Sequence, residues 1–409
     1  IRGVMKQATT GNAGPKVRSD IEVTLMLTEE GGINLDIKSR VKSMYGIAIE
    51  KQCRELLDLF DVKNAKLTVN DSGALPFVIA ARVEAAVKAL TGTQTSFLPE
   101  MMEENNYSSS RERFRFSRLY LPGNNPGMFL NAGLHSPDGI ILDLEDSVAP
   151  DRKDEARILV RNALRAVNFY GAERMVRINQ GERGLEDLGY VIPHNVHLVL
   201  IPKCENAATV RQVDERIRQI KAGAGQNDTV FLMPIIESAG GVERAFEIAT
   251  ASPSVVALAI GLEDYTADLG VQRTKEGSES LYARNRIVVA AKAAGIQPID
   301  SVFSDVADME GLLDNVRSSK AMGFEGMGCI HPRQIAVIRQ GFSPSDDETD
   351  RAKKIVVAYR DALKKGLGVV ALGSKMIDPP VVARAEKTIT LAVRLGLLPE
   401  DWAETEAKQ

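Results

Sequence analysis

From Arg118 onward, short apolar runs alternate with stretches whose apolar residues recur at helical spacing. The runs are LYLP, GIILDLED, RMVRIN, HLVLIPK, VFLMPIIES, VVALAIGLED, PIDSVFSD and EGMGCIHP. Segments such as DEARILVRNALRAV and Arg284 to Ala294 read as helices between them. Runs rich in Val, Ile and Leu, without polar alternation, predict strands buried on both faces, as in a parallel sheet. About eight strand–helix pairs over roughly 220 residues is the period of a (β/α)8 TIM barrel. The rival, a doubly wound open sheet, usually has fewer strands and a glycine-rich nucleotide turn.

Residues 5–90 follow a different pattern. Ile21, Val23, Leu25 and Leu27 alternate with polar residues, as do Ile33, Leu35 and Ile37 after Gly31–Gly32, which predicts a hairpin. Ile47, Leu56, Leu57 and Phe60 suit an amphipathic helix, Leu67 and Val69 a third strand, and Ala74 to Leu90 a second helix. The expected organisation is a small α+β domain over 5–90, a linker over 91–112, and an α/β barrel over 113–345. A helical extension over 346–409, with a loop at LGSKMIDPPVV, is expected to contribute to an oligomer and an active-site lid.

Several of the apolar runs end in a charged side chain: Arg177 in RMVRIN, Glu237 in MPIIES, Asp264 in IGLED and the Glu145–Asp146 pair in IILDLED. Chemistry in a parallel barrel is carried at the C-terminal ends of its strands, so these endings predict one site built by several strands. Glu237 and Asp264 form the candidate metal pair, because two carboxylates can hold Mg²⁺ and leave positions for substrate and water. Glu263 is the alternative ligand; strand alternation would point it away from Asp264. Arg177 offers a planar fork to a carboxylate or an enolate oxygen. Glu145 and Asp146 either act there or orient Arg177. Lys203 in LIPK suits a structural or substrate-charge role. The loop LPGNNPG, residues 121–127, reads either as a backbone cradle for a phosphate tail or as an ordinary turn.

Composition removes alternatives. A net charge of −4 argues against a broad nucleic-acid surface. Cys53, Cys204 and Cys329 are too far apart for a CxxC pair, which suits a reducing compartment. With four histidines, a multi-histidine metal site is not expected. No apolar run reaches the roughly 20 residues of a membrane span. Ile1–Val4 read as a lead-in before Met5, the start IRGVMKQ lacks the apolar core of a secretory signal, and a cytoplasmic location is expected.

The spaced motifs LYLPGNNP, LDLEDSV, RIN, LIPK, IES, GLEDY, CIHPRQI and GVVALGSKMIDPPVV occur in order over about residues 115–395. In them the chain resembles the citrate lyase beta subunit and its relatives, the malyl-CoA and citramalyl-CoA lyases. The resemblance implies a (β/α)8 barrel that uses Mg²⁺ to cleave 3-hydroxyacyl thioesters. It places Arg177 on the keto-acid part and Glu237 and Asp264 on the metal. Asp378 falls where relatives offer an acid to a neighbouring subunit's site. MKQATTGNAG, SDIEVTL and NDSGALPFVIAARVEAAV resemble the citrate lyase acyl carrier protein, the gamma subunit. That family carries a phosphoribosyl-dephospho-CoA arm on a serine in a stretch resembling AGTLESSD. Here the stretch is AGPKVRSD: Arg18 stands at the modified position, and Ser19 follows as the alternative attachment site.

The resemblance implies cleavage of a citryl-like thioester to an acetyl thioester and oxaloacetate, in a homo-oligomer (trimer or hexamer) and with an alpha-type citrate lyase subunit as a candidate partner. One alternative is a malyl-CoA or citramalyl-CoA lyase acting on free CoA thioesters. Another is a non-catalytic scaffold of a lyase complex.

Overall fold

The computed structural model describes residues 6–403. The lead-in Ile1–Val4, residue 5 and residues 404–409 of the C-terminal extension lie outside the described residues. Eight strands form the barrel: β5 (Ser117–Pro122), β6 (Gly139–Asp143), β7 (Glu173–Arg177), β8 (Leu198–Ile201), β9 (Phe231–Ile236), β10 (Ala257–Ile260), β11 (Gln297–Ile299) and β12 (Met327–Cys329). β1–β4 belong to the N-terminal domain. The barrel order is β11-β10-β9-β8-β7-β6-β5-β12, and every paired neighbour is parallel. A bridge between Asp300 and Met327 joins the two ends and closes the ring. The eight apolar runs are therefore eight barrel strands. Ile141, Met175, Leu200, Met233, Ile235 and Ala259 fill the inside, apart from the larger core between strands and helices.

The N-terminal domain is a sheet of β1 (Gln7–Thr10), β2 (Ile21–Leu27), β3 (Ile33–Ser39) and β4 (Ala65–Asp71), in the order β1-β2-β4-β3. The expected hairpin of β2 and β3 does not form. β4 lies between them, antiparallel to β2 and parallel to β3. Burial explains the insertion: Val23 and Leu25 pair with Val69 and Leu67, all four fully buried, whereas β3 alternates half-buried with exposed residues and suits the edge. The helix Lys42–Leu59 supplies the crossover that a parallel β3–β4 pair needs.

The helix Pro76–Thr91 is buried over most of its length, with the sheet on one side and the barrel helix Lys153–Ala166 on the other. Its two charged residues inside this contact are paired. Arg82 bonds Asp20 at 3.0 Å and reaches Asn124 of the barrel at 2.6 Å. Glu84 takes both terminal nitrogens of Arg161 at 2.8 and 2.7 Å. These bonds dock the small domain firmly on the barrel.

The 91–112 stretch is a strap rather than a free linker. The Met102 amide bonds the Arg165 carbonyl at 2.8 Å, Asn105 bonds the Val167 carbonyl at 2.6 Å, and the Tyr107 hydroxyl bonds the Ala172 carbonyl at 2.7 Å. It therefore runs beneath the N-terminal ends of the strands, opposite the candidate site. Beyond the barrel, helices Asp346–Lys364 and Pro379–Arg394 flank a hairpin of β13 (Val370–Leu372) and β14 (Lys375–Ile377). The stretch expected as a loop thus contains a strand. The extension has its own small core of Ala352, Val356, Ala385, Ile389 and Trp402. Among the described residues, no helix is long and apolar enough to cross a membrane.

Candidate active site

A cavity of about 730 Å³ opens at the C-terminal ends of the barrel strands. Arg177, the last residue of β7, lines it, as do Glu237, the residue after β9, and Asp264. Three of the charged endings thus converge, although Asp264 arrives differently from expectation. β10 stops at Ile260, Gly261 follows, and Asp264 lies in the first turn of the helix Leu262–Leu269. Strand alternation therefore does not separate Glu263 from Asp264. Both line the cavity and both meet a cation: Glu263 is held by Arg273 at 2.7 Å, and Asp264 lies 3.6 Å from the Lys203 ammonium.

Arg177 is anchored by a residue that the charged-ending pattern passes over. Its Nε and Nη2 bond the two carboxylate oxygens of Asp143 at 2.6 and 2.7 Å, a planar two-point grip. Its Nη1 has only longer approaches, 3.2 Å to Glu145 and 3.8 Å to Asp146, and the guanidinium lies over the Tyr120 ring. Burial opposes the charge on Arg177, but the Asp143 pairing outweighs it and raises its pKa. Burial alone would likewise raise the Asp143 carboxyl, and Arg177 brings it below the usual range. Asp143 lies two positions after Ile141, which faces the barrel interior, so the strand period was the signal for it.

Of the Glu145–Asp146 pair, Asp146 lines the cavity and Glu145 does not. β6 ends at Asp143, and the chain then bends, folding Glu145 behind the wall. There it accepts a bond from Gln180 at 2.8 Å and from Lys203 at 3.2 Å. Glu145, expected either to act at the site or to orient Arg177, lies 3.2 Å from both the Arg177 Nη1 and the Lys203 ammonium. Lys153 supports the same turn, bonding the Leu144 and Glu145 carbonyls at 2.9 and 2.7 Å. His135 and His331 also line the cavity.

Glu237 is 7% exposed. One of its oxygens accepts the Lys203 amide at 2.8 Å, and the other faces Gly261, where a Cβ would come within 2.5 Å of it. The glycine is therefore what leaves room for this carboxylate. Burial, followed at a distance by the repulsion of Asp264 and Glu145, pushes the Glu237 carboxyl up to about 7. Two acids that repel each other across a cavity wall fit a divalent cation. Among the described residues, no three His, Cys, Asp or Glu side chains form a metal cluster. A cation held by Glu237 and Asp264 would thus take most of its shell from substrate and water, as Mg²⁺ commonly does.

Besides Glu145, two more expected site residues lie outside the cavity wall. Asp378 caps the helix Pro379–Arg394, accepting the Val381 amide at 3.1 Å. Ser19 is half-buried in the loop before β2, with φ of 57° and its amide bonded to the Ser72 carbonyl at 3.0 Å. Its neighbour Arg18 packs against the cavity rim: a Cβ on Gly127, which lines the cavity, would lie 2.9 Å from the Arg18 carbonyl oxygen. The LPGNNPG loop is divided between two tasks. Asn124 faces the small domain, bonding Arg82 and Glu155, and Gly127 faces the cavity.

Residues 117–332 match the family described as HpcH/HpaI aldolase/citrate lyase. Residues 7–90 match the ACP family described as malonate decarboxylase delta subunit (MdcD). The citrate lyase subunit beta of Leuconostoc mesenteroides subsp. cremoris is 38% identical over 290 residues, covering 69% of this chain and 95% of that protein. The mitochondrial citramalyl-CoA lyase of Homo sapiens is 32% identical over 336 residues, covering 79% of this chain and 99% of that one. Among solved structures, the CitE protein of Mycobacterium tuberculosis in complex with magnesium, acetoacetate and coenzyme A is 31% identical. It aligns with a TM-score of 0.59 over 69% of this chain and 99% of that one. With the barrel, its strand-end acids and these likenesses in agreement, the chain belongs to the HpcH/HpaI aldolase/citrate lyase family and carries an ACP-like domain at its N-terminal end.

Proposed function

We propose that this chain is a Mg²⁺-dependent carbon–carbon lyase that splits a citryl-like 3-hydroxyacyl thioester into an acetyl thioester and oxaloacetate. The observation that carries the reading is the meeting of Glu237, Asp264 and the Asp143-anchored Arg177 on one cavity. Glu237 and Asp264 would hold Mg²⁺, which would supply Lewis-acid polarisation of the bound substrate. Transfer of the hydroxyl proton to solvent water in the open cavity and cleavage of the adjacent carbon–carbon bond leave a keto acid and a thioester enolate. Arg177 presents fixed positive charge to the developing anion, and Asp143 and Glu145 keep it aimed. Asp378 from a second copy of the chain donates a proton to the enolate carbon. This assignment is supported by its position on an extension with a separate core. It makes the working enzyme a homo-oligomer, a trimer or hexamer, with an alpha-type citrate lyase subunit as a further partner. A cytoplasmic setting agrees with three free, buried cysteines.

The packing of Arg18 on the cavity rim favours a substrate delivered by the N-terminal domain, because a phosphoribosyl-dephospho-CoA arm on Ser19 would start beside the site. The alternative, a malyl-CoA or citramalyl-CoA lyase taking free CoA thioesters, is favoured by Arg18 at the modified position and by the partial burial of Ser19. The metal assignment has a direct test. EDTA should abolish cleavage of citryl-CoA, and Glu237→Gln and Asp264→Asn should each lose most of it while keeping the fold. Full activity in EDTA, or in either variant, overturns the assignment.

A further inference from the structure

Arg118 is a buried cation that the proposed mechanism does not use. It is the second residue of β5 and 1% exposed, two positions before Tyr120, so both side chains point to the same face of the strand. That face is the barrel interior, where Arg118 lies against Met233 and Tyr120 packs with Ile141 and Ile235. Arg118 Nη1 is 3.0 Å from the Met233 sulfur, and its Nε has no hydrogen-bond partner. It forms no ion pair among the described residues. Arg82, Arg115 and Arg161 are as buried, and each grips a carboxylate; Arg174, equally buried without one, instead bonds the backbone and side-chain oxygens of Asn195 at 2.6 and 2.7 Å.

Guanidinium stays charged at any working pH, and an unpaired charge in an apolar interior is strongly unfavourable. Burial lowers the Arg118 pKa, and Tyr120 is the neighbour that most favours its charged form. The group is nevertheless not sealed off. Arg118 lines the same cavity as Arg177 and Glu237, and the wall it shares includes Ala259 and Gly328, which have little or no side chain. An anion reaching inward from the metal pair would meet it.

We propose that Arg118 is the subsite for a second carboxylate on the keto-acid part of the substrate. The inference rests on the lyase reading and narrows it. A citryl thioester releases a keto acid with a distal carboxylate, whereas citramalyl and malyl thioesters place a methyl group or a hydrogen there. With those substrates Arg118 stays unpaired, and a site that leaves its buried polar group unpaired rejects the analogue strongly. The chain should therefore favour citryl over citramalyl thioesters by a factor on the order of 10² or more.

The test uses the full chain with Mg²⁺ and the variants Arg118→Met and Arg118→Lys. Methionine fills similar space without charge; lysine keeps the charge without the fork. Two readouts are taken: kcat/KM on citryl-CoA and citramalyl-CoA, and the shift in Tm produced by oxaloacetate or pyruvate. In the wild type, citryl-CoA should be preferred and oxaloacetate should protect more than pyruvate. In Arg118→Met both preferences should collapse, with a much smaller change in the citramalyl rate. Arg118→Lys should keep part of the preference. Without ligand, Arg118→Met should melt no lower than the wild type, because an unpaired buried charge has been removed.

An unchanged citryl-to-citramalyl ratio in Arg118→Met overturns the proposal. So does an equal loss on both substrates together with a lower melting temperature, which would make Arg118 structural. If Arg118→Met does not fold, the Arg118→Lys ratio decides by the same criterion. If the wild type cleaves neither thioester, the lyase reading fails by itself. The carboxylate subsite then stands or falls on whether oxaloacetate protects the wild type more than pyruvate does.

Discussion

Asp143 sets the orientation of Arg177 through two short bonds, and this anchoring decides what Arg177 can do. A lysine at 177 would keep the charge but could not hold both Asp143 oxygens and still face the cavity. Arg177→Lys should therefore lower kcat/KM by a factor on the order of 10² or more, the scale of losing one preorganised donor. Steady-state kinetics on citryl-CoA checks this, and near-normal values would make Arg177 structural. At this scale the sequence was partly legible. Arg177, Glu237 and Asp264 stood out because each interrupts an apolar run. Asp143 sits inside a run with Glu145, and only the bend after β6 showed which acids reach the cavity. Arg118 and Tyr120 lie in the first strand and resemble ordinary half-buried polar positions. Their shared inward face depends on how that strand is set into the barrel.

The docking of the small domain is a property of its second helix, Pro76–Thr91. Glu84 is fully buried against Arg161 of the barrel helix, with Lys88 nearby. Glu84→Ala would leave Arg161 buried without its carboxylate and should destabilise the protein by about 3–5 kcal/mol. The pH dependence has a definite sign. Burial alone would raise the Glu84 carboxyl, but Arg161 and Lys88 bring it below its ordinary 4.5. The unfolded chain then binds this proton more readily, so the stabilisation is full above about 4.5 and is lost as pH falls through the folded value. Thermal melts from pH 7 to pH 3 should show the wild type losing stability below about 4.5 more steeply than Glu84→Gln. Equal slopes would remove Glu84 from the docking account. The alternation of β2, β3 and β4 was plain in the sequence, but their pairing was not. Alternation gives each strand a buried face, whereas neighbours depend on which strand can be covered on both edges.

For the whole molecule, the docked domain brings residues 18 and 19 close to the cavity rim at Gly127. If the domain is a working carrier, native protein from its host should hold a covalent arm on Ser19, and Ser19→Ala should abolish both the added mass and the activity that depends on the arm. That variant should still cleave free citryl-CoA, since it leaves the cavity wall intact. Mass spectrometry of the peptide around Ser19 separates the outcomes: an unmodified Ser19 in fully active native enzyme would end the carrier reading and leave free CoA thioesters as substrates. By itself the sequence determined the eight-strand period, the two-part organisation and the charges that interrupt the apolar runs. These follow from local periodicity and from charges that break it. Tertiary structure alone decided that β4 divides β2 from β3, that the 91–112 stretch is a strap, that Glu145 supports while Asp146 faces the cavity, and that Arg118 meets no carboxylate among the described residues. Each depends on groups far apart in the chain meeting or failing to meet, and a one-dimensional pattern does not record such encounters.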